Sequence, residues 1–342
     1  MQTSFVPNTR AARSRKFVPA CIALLALAFA SLVPPAQAQA TWLMVTEYPQ
    51  STISGTGLAT FARLLSAHTG GLVTATIAFD NEAKITSSEM PRAARDGRIA
   101  GGDAFGGALS TYDAVFGLST LPFVVQSVEA ARAVNARARP LYESAFRAQG
   151  LRLLYITIWP ATGLWSEQPL HGADDLAHLA LRTYDDSSTA VMRAAGAAAQ
   201  VEPLNDAVAG LKAHRLNAFL TSGDGGAGRR LWDYLPNFTA INYAVPVSFA
   251  FVRDADFDAL PEPLQREVMA AAAETEQSQI DLIANRTAEN YARMRANGVS
   301  IVEPAPAGLI AALREAAKGP IVAWKEKTSP EAIAIVDWAI KQ

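Results

Sequence analysis

An arginine that ends a short apolar strand can meet a carboxylate with two parallel N–H bonds, and Arg182 closes such a run at Leu179-Ala-Leu-Arg. Read alone, the same residue is equally an ordinary surface cation, so its surroundings must decide. The other candidates are thinner. Asp185-Asp186 could work as an acid and base pair, or could cap a helix that begins at Ser187-Ser188. Glu47-Tyr48, at the end of the first apolar run, offers a carboxylate and a phenol. The four histidines, His68, His171, His178 and His214, fall in no metal-binding spacing. There is no Gly-x-Ser-x-Gly elbow and no Walker loop. Gly101–Gly107 and Gly223–Gly226 lack the context that cradles phosphate and read as tight backbone packing or turns. Asn237-Phe-Thr and Asn285-Arg-Thr match glycosylation acceptors, a pattern short enough to arise by chance.

The elements that would position these residues follow from periodicity. Trp42–Thr46 reads as a strand, Gly57–His68 as a helix stopped by Gly70-Gly71, and Leu72–Phe79 as a second strand. This β-α-β start favours a parallel sheet. A helix near Ser87–Gly97, a Gly-rich strand over Ile99–Leu109, a helix over Val128–Gly150 and a buried strand at Leu151–Ile158 follow. After Trp159-Pro160 a second unit begins, with strands at Leu179–Arg182, Gln200–Pro203 and Asn217–Leu220, and helices at Ser187–Gly196 and Asn205–His214. Val247–Arg253 reads as a strand crossing back to the first unit. Leu264–Asn297 is then one helical run of about 34 residues, ~50 Å long, suited to a strut between two lobes. A strand at Val299–Val302 and two closing helices complete the chain. Two α/β lobes make a cleft, the preferred place for a small-molecule site.

Composition narrows the class. The 342 residues carry 30 Lys+Arg and 32 Asp+Glu, and half are hydrophobic, which excludes a disordered chain and leaves no basic excess for nucleic acid. Arg10, Arg13, Arg15 and Lys16, the apolar run Phe17–Ala30 and Ala36-Gln-Ala38 have the layout of a secretory signal, with cleavage expected after Ala38 or Ala40. Removing residues 1–38 leaves 26 cations against 32 anions, a formal charge of −6, and takes away Cys21, the sole cysteine. The expected product is an exported, periplasmic, acidic protein with no disulfide, no thiolate nucleophile and no cofactor.

One segment carries a family pattern: Gly163-Leu164, Asp174-Asp-Leu176, Leu181-Arg182-Thr183-Tyr184, Ala195-Gly-Ala197, Glu202-Pro-Leu204 and Leu211–Ser222. It resembles the solute-binding proteins of TRAP transporters, the DctP-like or C4-dicarboxylate-type family. Phe61 with His68-Thr-Gly-Gly-Leu-Val73, and Leu121-Pro-Phe123, agree in order, so the resemblance covers most of the chain after the leader. It implies an α/β, type II periplasmic-binding-protein fold: two α/β lobes joined by crossing strands and a long helical strut. The implied lobes are 39–160 completed by about 247–290, and 161–246 completed by about 291–342.

The implied role is to capture an organic acid between the lobes and deliver it to TRAP membrane permease subunits, as a monomer and not as an enzyme. Arg182 would be the carboxylate clamp. Tyr48, Glu47, Trp159, Tyr184, Phe219, Ser222 and Asp224 complete the expected ligand site, with Asp113 a weaker candidate. Two departures bear on the ligand. Where many members place Gly-Phe-Arg, this chain has Trp159-Pro-Ala-Thr-Gly-Leu-Trp165, without an arginine; Asn217–Ser222 likewise replaces an Asp-Gly-Gln-Glu-Asn-Pro turn. One cation in place of two favours an apolar or aromatic monocarboxylate over a dicarboxylate. An extracytoplasmic sensor for a signalling receptor, or an exported α/β enzyme using Glu47 or Asp185-Asp186, are the rival readings.

Overall fold

The computed structural model describes residues 39–342; the leader expected over 1–38 lies outside them. Two mixed sheets organise the chain. The first has the order β2-β1-β3-β10-β4, from β1 Ala40–Val45, β2 Val73–Ala78, β3 Gly101–Phe105, β4 Leu151–Ile158 and β10 Val247–Arg253. The second has the order β11-β9-β5-β8-β6-β7, from β5 Thr162–Ser166, β6 Ala180–Thr183, β7 Ala198–Val201, β8 Ala218–Ser222, β9 Asn237–Thr239 and β11 Ser300–Val302. Strands β1, β2 and β3 run parallel, as the opening β-α-β pattern required, and β10 returns between β3 and β4 antiparallel to both.

Period-two alternation sets the core. In β10, Phe249 and Phe251 face an aromatic cluster with Phe116, Tyr142 and Phe146, while Ala250 and Val252 face the opposite side with Leu58 and Phe61. Ala250 pairs with Tyr155 but Phe251 with Leu153, so Leu154 bulges from β4. The bulge shifts the alternation by one residue and turns Ile156 and Ile158 to the aromatic side.

Helix α1, Ile53–His68, starts where the Thr52 hydroxyl accepts from Gly55 N at 3.2 Å. The short helices α2 (Met90–Arg95) and α3 (Gly106–Leu109) flank β3. Helix α4, Val128–Arg147, starts at the Ser127 cap. In the second lobe α5 (Asp186–Ala194), α6 (Leu204–Lys212) and α7 (Gly223–Gly228) follow strands of the sheet. After α8 (Asp254–Asp258) comes α9, Glu262–Ala296, 35 residues and about 52 Å long. Its first half buries Leu264, Val268, Ala271 and Ala272 against the first sheet's core; its second half reaches the other core with Ile283 and Met294. That division lets one helix serve both lobes. Helix α10, Ala307–Lys325, packs on α5, and α11, Pro330–Ala339, returns to α4 of the first lobe. Among the described residues no helix is long and apolar enough to cross a membrane.

Three local readings need correction. Ile99–Leu109 is not one strand: β3 ends at Phe105 and α3 begins at Gly106, and both Gly106 and Gly107 are packed too closely for a side chain, against the rings of Phe249 and Phe105. Gly223–Gly228 is a helix, not a turn, capped when the Ser222 hydroxyl accepts from Gly225 N at 3.1 Å. Strands β5 and β9, which the sequence did not reveal, supply the middle of the second sheet.

His68, at the end of α1, bridges α9 through Glu274 (Nε2 to Oε2, 2.8 Å) and Glu267 (Nδ1 to Oε2, 3.3 Å). The Glu274 contact, then the Glu267 contact, raises its pKa above the ordinary value. A raised folded pKa means the stabilisation is full below the unfolded value and fades as pH rises through the folded one. Urea midpoints measured at pH 6 and pH 8 should therefore differ less in His68→Gln than in the wild type; an unchanged difference would remove the bridge from the pH response.

Candidate functional site

Four chain segments that leave the sheets converge on one cavity. They are Tyr48 after β1, Trp159 after β4, Arg182 and Tyr184 at the end of β6, and Thr221-Ser222 at the end of β8. The cavity is narrow, with about 30 Å³ open to water-sized contents, and Phe105 at the end of β3 closes it from the first lobe. On the other side of Arg182 a wider cleft of about 250 Å³ is lined by Glu47, Ser87, Asp185 and Glu202. Tyr48, Phe105, Arg182 and Tyr184 line both spaces.

Arg182 is only 6% exposed. Its Nε donates to the Glu202 carbonyl at 2.8 Å and its Nη1 to the Leu220 carbonyl at 3.4 Å, while the ring of Phe219 lies 5.9 Å from Cζ. The Glu202 carboxylate is directed elsewhere, to Arg215. Among the described residues no carboxylate forms an ion pair with Arg182. Burial acts against its charged form, and the nearby Tyr48, Glu47, Tyr184 and Asp185 side chains offset part of that effect. A guanidinium has five donors; with Nε and one Nη1 proton taken by carbonyls, its Nη2 edge remains for an anion.

Aromatic rings build the walls. Tyr48 and Trp159 have centroids 4.8 Å apart, and Phe105 meets Tyr184 edge-on at 5.2 Å. The Trp159 indole donates to Ser248 Oγ at 2.8 Å, which fixes its plane. Tyr184 is buried with its hydroxyl lacking a well-formed hydrogen bond, although Thr162 lies beside it. Burial raises the pKa of Tyr184 and of Tyr48 far above the ordinary value, so both stay neutral donors.

The structure brings Tyr48, Trp159, Arg182, Tyr184 and Ser222 together, with Glu47 in the adjoining cleft. The Glu47 carboxylate accepts from Ser87 N at 2.5 Å, and burial raises its pKa. Phe219 and Asp224 stand apart from the cavity. Phe219 is fully buried between Trp165, its β5 partner, and Arg182, its β6 partner; two residues on, Thr221 takes the lining place. Asp113 caps the turn at Ala114–Thr120 through Val115 N at 2.9 Å. Asp185 caps α5 in a reciprocal box with Ser188. Phe105, Thr162 and Thr221 carried no signal in the sequence, because their part depends on which strand ends meet. Among the described residues no group of acidic, histidine or cysteine side chains could hold a metal ion.

The profile of the DctP family, described as bacterial extracellular solute-binding protein, family 7, matches residues 44–326. No curated protein matches the chain in sequence. Among solved structures, DctP6, a Bordetella pertussis extracytoplasmic solute receptor binding pyroglutamic acid, is similar at 22% identity with a TM-score of 0.83, over 88% of this chain and 100% of its own. A marine metagenome TRAP solute-binding protein specific for pyroglutamate is also 22% identical, with a TM-score of 0.83, over 89% and 100%. A TRAP periplasmic solute-binding protein from Roseobacter denitrificans, with bound β-D-glucuronate, is 18% identical with a TM-score of 0.80, over 88% and 99%. The two lobes, crossing β10 and helical strut are thus the type II periplasmic-binding fold.

Asp224 ties the lobes behind the cavity. Its fully buried carboxylate accepts from Ile53 N at 2.7 Å, Arg286 Nε at 2.6 Å and Asn290 Nδ2 at 3.0 Å. Removing it strands Arg286 and the first amide of α1, so Asp224→Ala should cost ~3–5 kcal/mol in urea unfolding. A loss below about 1 kcal/mol would show that water replaces the carboxylate.

Proposed function

The chain belongs to the DctP family of bacterial extracellular solute-binding proteins, and from that premise we propose that it captures a small organic monocarboxylate between its lobes, with Arg182 as the clamp on the carboxylate. It is a solute receptor, not an enzyme. The single observation that carries the ligand reading is the state of Arg182: a buried cation held by two carbonyls, its Nη2 edge free of any carboxylate of the described chain. A buried charge that its surroundings offset only in part is costly. A carboxylate ligand would cancel it through charge-assisted bonds in a site of low dielectric.

The lining supports one carboxylate and a compact body. Arg182 is the only Arg or Lys among the residues that line the cavity. Tyr48, Phe105, Trp159 and Tyr184 would sandwich a flat or ring-shaped body, with the Tyr184 phenol as a donor. Glu47 would accept an N–H or O–H from the ligand at the cleft side, and Ser222, whose Oγ accepts from Gly225 N to cap α7, would still have its O–H to donate. Phe219 acts under Arg182 as its platform, and Asp224 acts through the lobe contact. Similar folds bind pyroglutamate and glucuronate, and both acids place polar groups around one carboxylate. In this reading the leader is cleaved, the protein works in the periplasm as a monomer, and it delivers the acid to TRAP membrane permease subunits.

Calorimetry against pyroglutamate, an aromatic monocarboxylate, a uronate and succinate tests the proposal. A monocarboxylate should bind more tightly than succinate. Arg182→Ala should raise its Kd by a factor of ~30 to several thousand, equivalent to ~2–5 kcal/mol, with the circular dichroism spectrum unchanged. Equal affinity in the variant would remove Arg182 from the site.

A further inference from the structure

Behind the aromatic wall lies a polar layer that the clamp does not use. Asp103, in the middle of β3, is completely buried, two residues before Phe105 of the cavity wall. The Ser54 hydroxyl, in the first turn of α1, donates to its Oδ1. Its Oδ2 has no partner, and neither do the buried Tyr155 hydroxyl, Thr157 Oγ1 and Gln279 Oε1. The cross-strand register sets Asp103 in one row with Ala250 and Tyr155, and Phe105 in the next with Ser248 and Thr157. Ser248 therefore stands between Asp103 and the cavity, and its hydroxyl is the acceptor of the Trp159 indole.

Among the described residues no cation offsets a charge there. The groups facing Asp103 are Ser54 from α1, Tyr155 and Thr157 from β4 and Ser248 from β10; Gln279 of α9 reaches the start of α1 at Ile53 O. The Arg286 that α9 brings to the same end of α1 is paired with Asp224, and Glu276 of α9 with Arg139. Burial raises the pKa of Asp103 to about 7, the serine contacts opposing that rise. Its charge acts on Tyr48 of the cavity wall.

We propose that Asp103 sets the affinity of the cavity for its anionic ligand, holding it more tightly when the carboxyl carries a proton and less tightly when it is ionised. This rests on reading the cavity as a carboxylate site. An ionised Asp103 repels the ligand's charge and takes a hydrogen bond from the Ser248 hydroxyl, which changes the acceptor that holds the Trp159 indole. By reciprocity, a bound anion raises the proton affinity of Asp103 by the same factor, so binding near neutral pH takes up a fraction of a proton.

Two measurements on the leaderless protein decide this. Without ligand, tryptophan emission should change in a single step near pH 7, and the step should vanish in Asp103→Asn and in Trp159→Phe. A step that persists in Asp103→Asn would overturn the proposal. With a monocarboxylate, the wild-type Kd should rise roughly five- to tenfold between pH 6 and pH 8.5, while Asp103→Asn stays flat and Glu47→Gln keeps the slope. A slope kept in Asp103→Asn, or lost in Glu47→Gln alone, would assign the effect elsewhere. Should Asp103→Asn fail to fold, calorimetry of the wild type in two buffers of different ionisation enthalpy reads the proton uptake directly, and zero uptake overturns the proposal. If no acid binds at any pH, the receptor reading of the cavity fails, and the emission titration still decides whether Asp103 acts on Trp159.

Discussion

A guanidinium buried in a protein must be held by something, and here two main-chain carbonyls do the holding. Arg182 takes Glu202 O and Leu220 O, which belong to the segment after β7 and to β8, the two strands beside its own. Side-chain carboxylates would neutralise the charge; carbonyls orient it and leave it positive. The second sheet thus holds one fixed cation at the carboxyl ends of its strands. Phe219 underneath prevents collapse of the side chain, and Arg215 draws the nearby Glu202 carboxylate away.

The rest of the architecture brings a lid of aromatic rings to that cation. Trp159 and Tyr48 come from the first lobe, Tyr184 from the second, so the cavity exists only when the lobes meet. Asp224 and Arg229 in the second lobe hold that meeting, one on Ile53 N, the other on the Glu47 carbonyl and Asp80. The glycines of α7 matter for the same reason: a Cβ on Gly228 would strike Thr52, and one on Gly226 would strike the Trp165 ring. Close backbone approach is what lets α7 seat against the start of α1.

Much of this was legible in the sequence because periodic runs are long and local. Periodicity places the strut at Leu264–Asn297 and the structure at Glu262–Ala296; β4 and β10 coincide with the strands the sequence suggests. Arg182, Trp159 and Tyr184 were reached through a family pattern whose surroundings, not whose lone arginine, carry the signal. The misses have a common physical cause. Phe219 and Thr221 lie two apart on one strand, on the same face, and only tertiary depth decides which one meets the cavity. Asp224 sits in a glycine-rich stretch that looks like a turn until Ser222 caps it into a helix. Phe105 ends a strand that periodicity carries on to Leu109, and its place at the cavity depends on residues far along the chain.

The most direct test of the central claim is a crystal structure of the protein grown with a bound monocarboxylate. The account predicts the carboxylate within hydrogen-bond distance of Arg182 Nη2, its body between Trp159 and Tyr184, and the Glu202 and Leu220 carbonyl contacts intact. A ligand lying elsewhere, or one whose carboxylate is held without Arg182, would contradict it.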